Sequence, residues 1–191
     1  MLYAVPAARY TVEEQGFTWD VFNGGFGLVN RWGVRKPVFN AFKLLNEAGN
    51  ARLPVTGITI PIGGEGVVMF ASKTLEGAVH LVLANHEGPA VNVTITLQQG
   101  GNSSMVKAGG AARATVARVD DTHANAYTAW VALGSPKADV NGVLDLKVVA
   151  ALHKAAEIVE EPLELHCHGS STALTLLMPH HGVARVLVQV K

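Results

Sequence analysis

The chain has 191 residues, of which 49% are hydrophobic and 16% charged, enough apolar material for one or two compact units with a real core. Fifteen basic and fifteen acidic residues cancel, so the electrostatic footprint of a nucleic-acid partner or an anionic membrane surface is missing. The single cysteine, Cys167, excludes an internal disulfide framework, and the longest apolar runs are too short to span a bilayer.

Met1 to Tyr10 reads as an irregular apolar stub interrupted by Pro6, without the basic start and long apolar core of a signal peptide. No localisation signal is visible. Thr11 to Arg31 reads as a loop in which Gly24, Gly25 and Gly27 permit close packing or positive φ, with Phe22, Phe26 and Trp32 as apolar anchors. Pro37 then opens a helix from about Lys36 to Glu47, because Val38, Ala41, Phe42, Leu45 and Ala48 fall at helical spacing and Gly49-Asn50 ends the run. Its apolar stripe needs a covering surface or stays exposed.

From Leu53 the pattern changes to β-branched and apolar runs separated by glycine-rich turns. Val67 to Ser72, Val79 to Ala84, Val91 to Leu97 and Ala114 to Val119 are predicted strands. In the third, Val91, Val93, Ile95 and Leu97 alternate with Asn92, Thr94 and Thr96, giving one core face and one wet face. Gly100 to Ser104 and Gly109-Gly110 bound a loose hairpin region. Val140 to Ile158 holds a predicted helix, beginning near Leu144 and closed by Pro162, and Leu163 to Cys167, Ala173 to Met178 and Val183 to Val190 read as three further strands. Seven or more short strands at regular spacing favour a mainly β fold, an antiparallel β-sandwich.

Constellations that carry chemistry are few. His166-Cys167-His168 and His180-His181 offer metal-ligand residue types, but a strand puts His166 and His168 on one face and Cys167 on the other, so ordinary strand histidines and a buried thiol are the better reading than zinc. No metal or other cofactor is expected. His123, Asp120 or Asp121, and Ser135 make a triad on paper, yet no nucleophile elbow surrounds Ser135. Asn92-Val93-Thr94 and Asn102-Ser103-Ser104 match the glycosylation sequon, which matters only in a secretory pathway. Trp19, Trp32, Tyr127 and Trp130 offer apolar faces for sugar stacking, although Tyr127 and Trp130 suit core or interface anchors better.

Three blocks carry a resemblance. The order Glu13-Glu14-Gln15-Gly16, then Phe22-Asn23-Gly24-Gly25-Phe26-Gly27-Leu28, then Gly33-Val34-Arg35-Lys36-Pro37-Val38-Phe39-Asn40-Ala41-Phe42 resembles glycoside hydrolase family 39, the family of β-xylosidases and α-L-iduronidases. Val119 to Pro136, with its Asp, His, Asn, Tyr, Trp and Gly-Ser-Pro in that order, is similar to a stretch of the bacterial-type β-xylosidases, and Leu176 to Ala184 to their final strand pair. The resemblance departs at Val5 to Tyr10, where no aromatic-rich barrel strand is recognisable, and at Asn23, where a histidine is common.

The resemblance implies that residues 1–50 are the end of a (β/α)8 catalytic barrel, its last loop and helix, and that 51–191 form an accessory β-sandwich with one inserted helix near 144–158. It implies carbohydrate as the parent's substrate. Retaining glycosidases need two carboxyl groups about 5 to 5.5 Å apart, and in this family both come from earlier barrel strands, so no catalytic residue is expected in this chain. Glu13 and Glu14 are carried over as substrate-binding residues, against the plainer reading of two solvated acids. The expected function is that of a C-terminal fragment not competent alone, the alternative being a free-standing module that binds carbohydrate or protein. Self-association through the helix near 36–47 is the expected protein contact, with no nucleic-acid or membrane partner.

Overall fold

The computed structural model describes residues 20–22, 27–57, 66–98, 112–168 and 171–190. The apolar stub, Glu13, Glu14, Trp19, Asn23 to Phe26 and the glycine-rich hairpin region lie outside the described residues, as do the side chains of Cys167 and His168. Three helices, α1 (Pro37–Asn46), α2 (Ala126–Ala132) and α3 (Leu146–Ala155), accompany nine strands among the described residues. The strands are β1 (Ala51–Leu53), β2 (Gly66–Lys73), β3 (Val79–His86), β4 (Val91–Gln98), β5 (Ala112–Val119), β6 (Glu160–Leu163), β7 (His166–His168), β8 (Ser171–Met178) and β9 (Val183–Val190). The chain divides into two compact units, a helical one of the described residues up to Phe42 with Asp121–Ile158, and a β unit of Lys43–Asp120 with the described residues from Val159 on. The chain passes from the first to the second within α1.

The β unit contains two open antiparallel sheets, a six-stranded one in the order β1-β2-β3-β9-β5-β6 and a three-stranded one in the order β4-β8-β7. Strand alternation sends one face of each sheet into a single core. Leu81, Leu83, Val116, Val186 and Val188 come from the large sheet, and Ile95, Leu174, Leu176 and Met178 from the small one. Burying each of these large side chains contributes roughly 1.5 to 3 kcal/mol, which holds the two layers together. In β4, Asn92, Thr94 and Thr96 are exposed while Ile95 is buried and Val93 and Leu97 are half-buried, as the alternation predicts. Val91 at the strand end is exposed.

Three expectations are corrected. Leu163 to Cys167 is not one strand: β6 ends at Leu163 and joins the large sheet, whereas β7 begins at His166 and joins the small one. Glu164-Leu165 is the crossing between layers, a change of sheet that local pattern does not encode. Pro162 does not end the preceding helix but lies within β6, opposite Thr115, and β6 is an edge strand, where a missing N–H is tolerated. The helix itself starts later than expected, at Leu146, because Asp145 accepts a hydrogen bond from the Lys147 N–H at 2.7 Å and caps it. A helix missed altogether, α2, is set by Asn125, whose side chain accepts from the Tyr127 and Thr128 N–H groups.

Candidate functional site

The helical unit gathers the aromatic and polar side chains that the sequence singles out. Asn30, buried, organises the glycine-punctuated loop: its Nδ2 donates to the Val21 carbonyl at 3.2 Å, and its Oδ1 accepts from the N–H groups of Trp32 at 3.1 Å and Val34 at 3.0 Å. Gly33 turns the loop at a φ of +79°, a left-handed conformation that a side chain would strain. The loop then leads into α1, where the buried Asn40 donates through Nδ2 to the carbonyls of Ala124 at 2.8 Å and Ala156 at 2.9 Å. One amide therefore ties α1 to the entrance of α2 and the end of α3.

Around this frame Val21, Val34, Ala126, Leu144, Leu152 and Ala156 form a second core, against which Phe22, Trp32 and Trp130 pack. Phe22, Tyr127 and Trp130 touch pairwise, with ring centroids 5.6 to 5.8 Å apart. Such edge and tilted contacts suit aromatic quadrupoles. Trp130 is further fixed by its Nε1–H donating to the Pro136 carbonyl at 2.9 Å. Tyr127 keeps 47% of its surface exposed, so the cluster is an anchor with one exposed member. Asp20 lies 3.7 Å from the Lys137 ammonium.

His180 donates from Nδ1 to the Gly88 carbonyl at 2.9 Å and stands against His181, while His86 lies 6.5 Å from His181 between ring centroids. Among the described residues no three His, Cys, Asp or Glu side chains are arranged to hold a metal ion. Thr122 and His123 hydrogen-bond to each other at 2.9 Å. Ser135 sits at a φ of +54° in the turn after α2.

Two carboxylates do meet in the β unit, and sequence reasoning missed them. Glu160 accepts from Arg185 Nη2, and Glu47 Oε2 lies 3.2 Å from Arg185 Nε. The hydrogen bond from Arg185 holds the Glu160 carboxyl below its ordinary value of 4.5, with Thr115 assisting. A carboxylate kept ionised by a guanidinium, as Glu160 is, is a poor general acid. The signal in the sequence is a lone arginine within the apolar run Val183 to Val190.

The described residues thus define an antiparallel two-sheet unit and a helical unit that carries a cluster of three aromatic rings. The chain belongs to glycosyl hydrolases family 39, whose sequence pattern matches residues 2–142. It is 29% identical over 179 residues to the beta-xylosidase of Caldicellulosiruptor saccharolyticus, an alignment that covers 90% of this chain and 33% of that enzyme. Two solved structures share the fold. The GH39 beta-xylosidase of Caulobacter crescentus is 22% identical with a TM-score of 0.60, covering 90% of this chain and 31% of that one. The GH39 enzyme of Xanthomonas axonopodis pv. citri is 15% identical with a TM-score of 0.61, covering 90% and 33%. The chain therefore spans about a third of the length of these relatives. Among the described residues no helix is long and apolar enough to cross a membrane.

Proposed function

We propose that this chain is the C-terminal part of a β-xylosidase-like family 39 glycoside hydrolase, residues 1–50 being the last loop and helix of its (β/α)8 barrel and 51–191 its accessory β-sandwich. The observation that carries this reading is the lopsided coverage: nine-tenths of the chain aligns to one third of a beta-xylosidase. The parent reaction is hydrolysis of an O-glycosidic bond by a nucleophilic carboxylate and a second carboxyl acting as acid, then base. In this reading both groups are supplied from outside these residues, and the chain contributes Glu13 and Glu14 to sugar binding. Glu47 and Glu160 do not replace the missing pair, because both are engaged by the buried Arg185.

The test is turnover of aryl β-xylosides and aryl α-L-iduronides by the purified chain. None is expected. Activity that survives purification and disappears in Glu13→Gln or Glu14→Gln overturns the reading. One observation favours a second reading, a non-catalytic module that binds carbohydrate: Tyr127 is 47% exposed beside Phe22 and Trp130. Tyr127→Ala then abolishes retention on a xylan column, whereas the first reading alone leaves retention unaffected.

A further inference from the structure

Each sheet of the β unit has two edge strands, and among the described residues all but one are guarded. β1 and β7 are three residues long, and β6 carries Glu160, Glu161 and Pro162. Shortness, charge and proline are the usual defences of an edge against stray pairing. β4 has none of them. Val91–Gln98 runs for eight residues without a charge or a proline and pairs along its whole length with β8 alone. An unguarded edge of this kind is a template for another strand.

The core beside that edge is also incomplete. Six strands face three, and short links join β3 to β4 and β8 to β9, so β1 and β2 reach beyond β4. Val67 and Met69 on β2, and Val93 and Leu97 on β4, pack on the shared core yet stay only partly buried. At the opposite end one segment serves both layers: β6 continues through Glu164-Leu165 into β7, with Leu163 and Leu165 on the core. β1 is the other edge of the large sheet, and Leu53 and Val55 pack on the core at the same spacing. Beyond Gly57 the sequence runs Ile58-Thr59-Ile60-Pro61-Ile62, outside the described residues.

We propose that the free edge of β4 is the docking site of Ile58 to Ile62 of this same chain, which completes a four-stranded small sheet and closes that edge to strands from other molecules. Direction fits. All neighbouring strands in both sheets are antiparallel, so β1 and β6 run in opposite directions. With β7 keeping the direction of β6, a strand keeping the direction of β1 is antiparallel to β4. Length fits as well, since residues 54–65 separate β1 from β2, more than the roughly two to five residues of a hairpin loop. Pro54 to Gly57 is long enough to cross the roughly 10 Å between layers. Alternation puts Ile58, Ile60 and Ile62 on one face, the one that would cover Val67, Met69, Val93 and Leu97, and Thr59 and Pro61 on the other. A proline is tolerated in an outermost strand, where its missing N–H breaks no ladder.

Amide exchange of the whole chain, read residue by residue by NMR, tests the docking. Every second N–H of β4 points away from β8, and these amides are expected to be protected at least about tenfold over free-chain rates, equally in dilute and concentrated solution. Ile60→Asp is expected to remove that protection while the amides bonded to β8 keep theirs. Unprotected outward amides in the unaltered chain overturn the proposal, as does protection that a folded Ile60→Asp retains. Protection that grows with concentration overturns it in favour of a second copy pairing at the edge. Should Ile60→Asp not fold, Overhauser contacts in the unaltered chain decide. Backbone protons of residues 58–62 are expected against those of β4, and contacts with another strand, or with none, overturn the docking.

Discussion

The Asn40 Nδ2 donates to the Ala124 carbonyl at 2.8 Å, joining residues 84 positions apart, and the same nitrogen donates to the Ala156 carbonyl at 2.9 Å. A fully buried amide thus donates to two carbonyls from distant parts of the sequence. Asn40→Ala is expected to destabilise the chain by about 1 to 3 kcal/mol, since both acceptors lose the donor that Asn40 supplies. Asn40→Asp is expected to cost more, because a carboxylate there faces two carbonyl oxygens. Urea unfolding of the three proteins, compared at equal slope, checks the order.

Gly49 is a position where a single methyl group meets backbone directly. Its added Cβ meets the Lys73 carbonyl carbon and oxygen at 2.3 Å and the Thr74 nitrogen at 2.7 Å, all backbone atoms that cannot swing aside. Gly49→Ala is expected to lose at least about 1 to 3 kcal/mol, whereas Gly57→Ala, with open space around it but a positive φ, pays only for its backbone conformation. Thermal melting of the pair separates packing from conformation.

Stability is expected to rise with pH through two windows. His80 is held below 6.5 by burial and by Arg185, so the unfolded chain binds more protons there, and the stability conferred by the neutral imidazole is present above 6.5 and lost as the pH falls through the depressed folded value. Glu160 is held below 4.5 chiefly by Arg185, so its contribution is present above 4.5 and lost at lower pH. His80→Gln is expected to flatten the upper limb and Glu160→Gln the lower one. Denaturant titrations across the pH range show whether the limbs respond separately.

The helix α1 is expected to answer differently on its two faces. Val38, Phe42 and Leu45 are 44%, 45% and 48% exposed, while Leu44 is fully buried. Leu44→Ala is expected to cost about 2 to 5 kcal/mol through lost burial and a cavity. Phe42→Asp, at an exposed position, is expected to change stability by no more than about 0.5 kcal/mol. If the exposed face joins two copies of the chain, sedimentation shows self-association that Phe42→Asp removes. A large drop in melting temperature for Phe42→Asp contradicts the exposed placement.

Much of this architecture follows from local pattern. Apolar and β-branched runs bounded by turns located β2, β3, β4, β5, β8 and β9 to within two residues at each end, and in β4 strict alternation also marked the buried face. The helical spacing around Pro37 located α1 likewise. The seven-residue α2 escaped notice because it is too short for a period to show and rests instead on the Asn125 cap. The glycine loop, the block around Trp130 and the closing strand pair carried the family, since those residues are contiguous in the chain.

Whatever depends on which surfaces meet was decided by the tertiary structure alone. The stripe of Val38, Phe42 and Leu45 reads as the inner face of α1, yet the residues that are buried are Asn40 and Leu44, because carbonyls at Ala124 and Ala156 call for a donor at that position. Glu164-Leu165 reads as strand interior, yet the chain changes sheets there. Arg185 stands on the face of β9 turned away from the shared core, yet it is buried, with Glu47 of the segment after α1 against it. Periodicity specifies that a strand has two faces. Which of them meets solvent depends on segments distant in the sequence, and their arrival turns a surface arginine into a buried charge that must be paired.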